Sequence, residues 1–274
     1  MAVLIEHPHM GLILFETGCA EDVEIVSAAA LCQRVTKHYE LTNTTQEWGA
    51  PLTDLFPRTV YTEEMKLPNA IKATGNDIKD VKAIIMGHLH LDHAGGLEHF
   101  LGTNIPSKKP SPTSHSTSLR TNNNPDTTLP AAVYVHEEEF KHATWSVATK
   151  TDSGVYLASY LSLTALNWQT FSTSPFELCQ GITLRHSPGH TPGLCLMQIN
   201  LPRDGTFVFT TDQYHIRENY EDAAPQGWLM RDQSAWLHSH QMVQMLVRVF
   251  GARLVFGHDA EVVRELLAEK KVLE

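Results

Sequence analysis

Cysteine is scarce in this chain: four in 274 residues, Cys19, Cys32, Cys179 and Cys195, with no C-x-x-C spacing among them. That excludes a disulfide framework and fits a reducing compartment, so a cytoplasmic location is expected, with the thiols as ordinary buried residues. Basic residues are also in deficit, 21 Lys and Arg against 31 Asp and Glu, for a formal charge of -10. Proteins that hold polyanions usually carry a basic patch or stripe, so no nucleic-acid partner is expected. Long apolar runs are missing as well. No stretch approaches the roughly 18 residues needed to span a bilayer, and no membrane partner is expected. The N-terminal "MAVLIEHPHMGLILFE" meets Glu6 and His7 too early for the apolar core of a signal peptide.

With 42% hydrophobic residues, the chain is long enough for one large domain over residues 1–274, and no charged or Pro-rich linker divides it near the middle. "AVLIE" and "GLILFE" read as a hairpin turning at "HPHMG". A helix is expected over residues 20–39, where Asp and Glu fall in the first turn. "DVKAIIMG" reads as a strand, "GGLEHFL" as the start of a helix, and "AAVYVH" as a strand. Between the last two lies a Ser/Thr/Asn/Pro-rich stretch at about 103–130 whose few apolar residues predict a disordered surface insertion. "EEEFKHATWSVAT" and "GVYLASYLSLTALN" read as helices, then "ITLRHS", "LCLMQIN" and "TFVFTTD" as strands. The long helix "DQSAWLHSHQMVQMLVRVF", with Trp236, Met242, Met245, Leu246 and Val249 on its core side and His238 and His240 in solvent, leads to a strand "RLVFGH" and a closing helix. Strands come in runs in both halves, with helices after each run. The expectation is an α/β (α+β) fold, a sandwich of two mixed sheets packed face to face with helices outside.

Histidine is plentiful, 16 in all, and four metal-binding side chains crowd into "GHLHLDHAGG": His88, His90, Asp92 and His93. On an extended segment the two-residue step from His88 to His90 turns both rings the same way, and Asp92 and His93 follow where the chain bends toward a helix. Three further signals close later strands: His190 in the stiff turn "HSPGHTPG", Asp212 at the end of "FVFTTD", and His258 in "LVFGHD". Together these are five histidines and two aspartates at strand ends. That donor set suits two metal ions bridged by one carboxylate.

In this order, "HLHLDHAGG", "SPGHTPG", "TTD" and "FGHD" resemble the metallo-β-lactamase superfamily of binuclear metal hydrolases. The resemblance covers nearly the whole chain apart from the insertion, and implies an αββα sandwich with its site where both sheets end. It implies two divalent metal ions, with zinc the expected element. His88, His90 and His190 would hold the first, Asp92, His93 and His258 the second, and Asp212 would bridge them. Within the superfamily the chain is most similar to the N-acyl-homoserine lactonase branch, through "VYVHEEEFKHATW", "HSPGHTPG" and "DQYHIRENYEDAAP". That branch carries a tyrosine three residues past the bridging aspartate, where its hydroxyl polarises the substrate carbonyl. Here His215 stands third and Tyr214 second, and either is a candidate for that work. The branch's usual Asp-Thr-Gly triplet is Glu16-Thr17-Gly18. Relatives also carry another strand ahead of this first hairpin.

The activity implied is metal-assisted hydrolysis of a cyclic carbonyl compound, a small-molecule substrate, with a lactone favoured. Asp92 is expected to pass the proton to the leaving atom as the ring opens. A lactam or cyclic carbamate is the next reading, followed by a thioester of the glyoxalase II kind and a mononuclear iron sulfur dioxygenase. A homodimer is the candidate assembly.

Overall fold

The computed structural model describes residues 2–19, 62–101, 130–152, 155–158, 160–161, 164–224, 226–269 and 272–274. The expected helix over 20–39 and the expected insertion at about 103–130 lie outside them.

The described residues form ten strands in two mixed five-stranded sheets. In the first, β1 (Val3–His7) pairs antiparallel with β2 (Gly11–Phe15), and β3 (Val81–Ile85), β4 (Ala132–His136) and β5 (Asn167–Phe171) follow in parallel. In the second, the order is β10 (Arg253–Val255), β9 (Gly205–Phe209), β8 (Cys195–Leu201), β7 (Ile182–His186), β6 (Phe176–Cys179). Only the β10–β9 pair in it is parallel.

Period-two alternation sorts the apolar side chains into layers. From β2, Ile13 and Phe15 point to the same cluster as Met197, Phe207 and Phe209 of the second sheet, the seam between the sheets. Leu12 and Leu14 point the other way, joining Ile84, Val133 and the helices α1 (Leu67–Ala73) and α3 (Glu137–Thr149). On the far side, Leu196 and Val208 meet Trp236, Val243 and Leu246 of α5 (Gln233–Phe250). The expected four-layer αββα sandwich follows from this. No helix of the described residues is long and apolar enough to cross a membrane.

α5 starts where the sequence places it. The Asp232 carboxylate accepts the Ala235 N–H at 2.9 Å, and Gly251 ends the helix in the left-handed conformation at φ 60°. Its buried stripe is narrower than expected. Met245 and Val249 are 47% and 64% exposed, because at about 100° per residue they stand roughly opposite Trp236. His240, expected in solvent, is buried, while His238 is exposed. The helix expected in "GVYLASYLSLTALN" is also absent among its described residues, which form turns. The backbone there is engaged elsewhere: the Val155 carbonyl accepts the Leu91 N–H at 2.8 Å, and the Tyr160 hydroxyl reaches the Leu89 carbonyl at 2.8 Å. "GGLEHFL" forms a 3-10 turn, Gly95–Phe100.

At the seam, His136 ends β4 and stacks on His186 at the end of β7, ring centroids 4.0 Å apart and 6° between planes. Its Nδ1 accepts the Glu138 N–H at 3.3 Å and caps α3, which requires that nitrogen to be unprotonated. Burial, helped by the neighbouring His186, pushes this imidazole down to about 4. The unfolded chain, with an ordinary histidine near 6.5, takes up the proton first as pH falls. Stability from this group is therefore full above pH 6.5 and lost as pH falls toward 4. His136→Asn keeps an acceptor for the cap and should flatten the acid-side decline by up to roughly 3 kcal/mol in urea unfolding measured from pH 6.5 to 4. An unchanged slope would count against this assignment.

Candidate metal centre

The carboxyl-terminal ends of β2, β3, β9 and β10 converge on one edge of the sandwich, and the side chains just beyond them form the site. β3 leads through Gly87 to His88 and then to His90, which is extended, and the short helix α2 (Leu91–Ala94) presents Asp92 and His93. The loop from β7 to β8 supplies His190, a 3-10 turn after β9 (Thr211–Gln213) supplies Asp212, and the loop after β10 supplies His258.

Two groups of donors result. His88, His90 and His190 form one, and Asp92, His93, Asp212 and His258 the other, with the donor atoms of each group within 4.8 Å of one another. Asp212 stands between them. Its Oδ1 lies 3.1 Å from the Nε2 of both His93 and His258, and its Oδ2 lies 3.4 Å from His190 Nε2 and 3.7 Å from His88 Nε2.

The residues fit a pair of cations on internal grounds. His88 Nε2 and Asp212 Oδ1 are buried and make no hydrogen bond, a cost that a bound cation removes. His190 Nε2 faces His90 Nδ1 at 3.1 Å, and His93 Nε2 faces His258 Nε2 at 3.3 Å. Ring nitrogens sharing one tetrahedral ion at about 2.0–2.1 Å would stand about 3.3 Å apart.

The outer nitrogens are fixed by Glu16. This residue follows β2 with φ +56°, is fully buried, and accepts from His93 Nδ1 at 2.6 Å and from the Thr211 hydroxyl at 2.7 Å. Thr211 Oγ1 lies 3.2 Å from His88 Nδ1. One donor order satisfies all three contacts: His88 Nδ1–H to Thr211, Thr211 O–H to Glu16, His93 Nδ1–H to Glu16. Both imidazoles then present Nε2 lone pairs inward. Gly87 makes room for this carboxylate, since a Cβ there would stand 2.7 Å from Glu16 Oε1. Thr211, with φ +43°, is the other non-glycine residue held in the left-handed region at this contact, at a cost of about 1–3 kcal/mol.

The two groups differ electrostatically. Burial and the adjacent His88 and His190 hold the His90 imidazole well below its ordinary value, and burial pushes His190 down to about 3. These rings are neutral and offer lone pairs. In the second group burial acts on His93 in the same direction, but Asp212, Glu16 and Asp92 override it and hold the ring well above the usual range. Asp212 raises His258. Burial alone would raise Asp92 and Asp212, yet the imidazoles keep both below the carboxylate range. Protons here occupy places that a cation would contest.

All seven expected ligands are brought together, and His215 joins them, its Nε2 3.2 Å from Asp212 Oδ2. The 3-10 turn ends at Gln213 and Tyr214 is extended (φ -139°, ψ 127°), so the side chains of Tyr214 and His215 leave the chain on opposite sides, His215 toward Asp212. Tyr214 is not brought in. Its hydroxyl bonds His240 Nδ1 at 2.8 Å, and its ring is fully buried against Tyr220, Trp236 and Phe256. The reading that left Tyr214 open as the carbonyl helper is corrected on that ground. In the sequence Glu16 is marked only by its departure from the usual aspartate of that triplet. Thr211 went unread, since a threonine at a strand end carries no signal by itself.

A two-sheet αββα sandwich with two His/Asp donor groups at its edge marks a class of fold that can hold metal ions where its sheets end. The profile of the metallo-beta-lactamase superfamily matches residues 1–258, and the chain belongs to that superfamily. An N-acyl homoserine lactonase from a Bacillus species is 28% identical over 200 residues, which span 73% of this chain and 64% of that relative. The N-acyl homoserine lactonase AiiB of Agrobacterium fabrum is 22% identical over 91% of this chain and 75% of its own length. A solved N-acyl homoserine lactone hydrolase, with N-hexanoyl-L-homoserine at its catalytic metal centre, superposes with a TM-score of 0.65 at 24% identity. That superposition covers 96% of this chain and 82% of that one.

Because Asp212 touches both donor groups, Asp212→Ala should lose both ions, read as metal per chain by elemental analysis after gel filtration. Retention of two tightly bound ions would show that the carboxylate does not hold the groups together.

Proposed function

We propose that the protein is a binuclear metal-dependent hydrolase that opens a lactone ring. The observation that carries this is the convergence of the two donor groups on Asp212, with His215 at their rim. The lactone is favoured because the Bacillus and Agrobacterium relatives are N-acyl homoserine lactonases. Zinc is the proposed ion, since imidazole nitrogen and carboxylate oxygen suit it. A cytoplasmic location is proposed from the few, unpatterned cysteines.

In this reading His88, His90 and His190 hold one ion, Asp92, His93 and His258 the other, and Asp212 both. When bound, the ions supply Lewis acidity that makes water a nucleophile near neutral pH and polarises an ester carbonyl. The chain's own side chains do the rest. His215 donates its Nε2–H to the carbonyl oxygen as negative charge develops there. Its position is stiff: its N–H bonds Asn219 Oδ1 at 3.0 Å, and its carbonyl accepts the His258 N–H at 2.9 Å. Asp92 has a side chain 35% exposed, with Oδ2 3.5 Å from His93 Nε2. It takes the proton released by the attacking water and returns it to the ring oxygen as the C–O bond breaks. Water is consumed, one hydroxy acid forms, and the leaving alcohol stays tethered to it.

The test is a hydrolysis screen with metal-reconstituted protein, setting acyl-homoserine and simple lactones against lactams and cyclic carbamates. Ring opening of lactones, with two ions per chain, is expected. Turnover of lactams or carbamates alone would overturn the substrate, and one iron per chain with sulfur dioxygenase activity would overturn the reaction. For the carbonyl donor, His215→Ala should lower kcat by about 10²–10³-fold, while Tyr214→Phe stays near wild type. The reverse pattern would remove His215 from the role.

A further inference from the structure

One buried carboxylate near the site is used by nothing in the proposed reaction. Glu139, in the first turn of α3, is fully buried and, among the described residues, has no lysine or arginine partner. An unpaired buried charge is costly, so its donors matter. It has three. Oε1 accepts the Leu89 N–H at 2.9 Å and the Tyr156 hydroxyl at 3.3 Å, and Oε2 accepts the Thr191 hydroxyl at 2.5 Å.

Those donors are not scattered. Leu89 lies between His88 and His90, Thr191 follows His190, and the Tyr156 ring stands edge-on to His90 with centroids 4.8 Å apart. The Leu89 peptide is held from its other end as well, its carbonyl accepting the Tyr160 hydroxyl at 2.8 Å. The turn carrying His190 sits directly on the helix start, because a Cβ at Gly193 would collide with the backbone N and Cα of Glu139. Being third in a helix also favours the carboxylate electrostatically, through the free N–H groups of the first turn.

We propose that Glu139 is a positioning residue for one ion only: by tying Leu89 to Thr191 it sets the separation of His88 and His90, from the first sheet, and His190, from the second. This rests on the reading that His88, His90 and His190 hold an ion. His93 of the other group is held by a different carboxylate, Glu16, which also reaches His88 through Thr211, whereas among the described residues the hydrogen bonds of Glu139 go to none of Asp92, His93 and His258. A residue that holds a ligand's backbone instead of its ring nitrogen acts on the geometry of the site and leaves the basicity of the ligands alone.

The experiment measures stepwise zinc affinity of the full chain against a competing chelator, with the visible spectrum of the cobalt-substituted protein as a second readout. In Glu139→Gln, an isosteric change, one of the two ions should bind about 10–100-fold more weakly, with the other near its wild-type affinity and half of the cobalt spectrum altered. Thr191→Val, which removes one donor and leaves the carboxylate in place, should weaken the same ion. Two ions held at wild-type affinity in both variants would overturn the proposal. So would equal weakening of both ions together with a lowered Tm of the metal-free protein, the result of a purely structural role. Should wild type itself bind fewer than two ions, the binuclear reading fails first, and this inference with it.

Discussion

The contact on which the site depends is a carboxylate with no water around it. Glu16 closes the end of a strand in the first sheet and accepts from Thr211 at the end of a strand in the second, while its other oxygen fixes His93. Burial by itself would push its proton back on, but the imidazoles of His93 and His88 overcome that and keep it ionised far below the usual range. A neutral glutamic acid would present a proton where two donors already point. The register of the two sheets, the tautomers of His88 and His93 and the left-handed backbone at Glu16 and Thr211 are conditions for one another. None of them is favourable alone.

Around that contact the charges are divided unevenly. In one donor group burial holds the imidazoles of His90 and His190 in their neutral form, and in the other the carboxylates around them favour the protonated forms of His93 and His258 when no cation is present. A pair of ions in such a frame would sit in unequal fields. Both ions would share the charge of Asp212, but the ion among the three imidazoles would have no other carboxylate, while the second would have Asp92 as well. It follows that the neutral group has the greater need of exact geometry, and it is the group whose loops Glu139 ties together.

Much of this was legible before any coordinates. H-x-H-x-D-H after an apolar strand, and His190, Asp212 and His258 at later strand ends, marked the residues that the fold gathers into two donor groups, because metal binding constrains residue type and spacing at once. The order of the elements, strands in runs in both halves with helices after each run, pointed to the two-sheet sandwich, because a sheet with one open apolar face must be covered by another layer. What was misread depended on contacts between distant segments. Tyr214 and His215 are adjacent, and only the path of the backbone as it leaves the 3-10 turn in extended form decides which of them faces the site. His240 was expected in solvent because nothing nearby in the chain reveals the Tyr214 hydroxyl that holds it. Met245 and Val249 look like core residues by type and stand outside by helical phase. Glu139 is third in the run "EEE", which reads as ordinary first-turn acids until the three donors around it are known.

The donor side chains come from both sides of the seam. His88, His90, Asp92 and His93 follow strands of the first sheet, and His190, Asp212 and His258 follow strands of the second. Any cation held among them is thereby a cross-link between the two sheets, in addition to the Glu16–Thr211 bond and the apolar side chains of the seam. Its binding energy counts toward folding, growing with the logarithm of the free ion concentration above its dissociation constant. Mechanically, the edge that carries the chemistry becomes the clamped end of the sandwich, and the opposite edge is the end free to breathe.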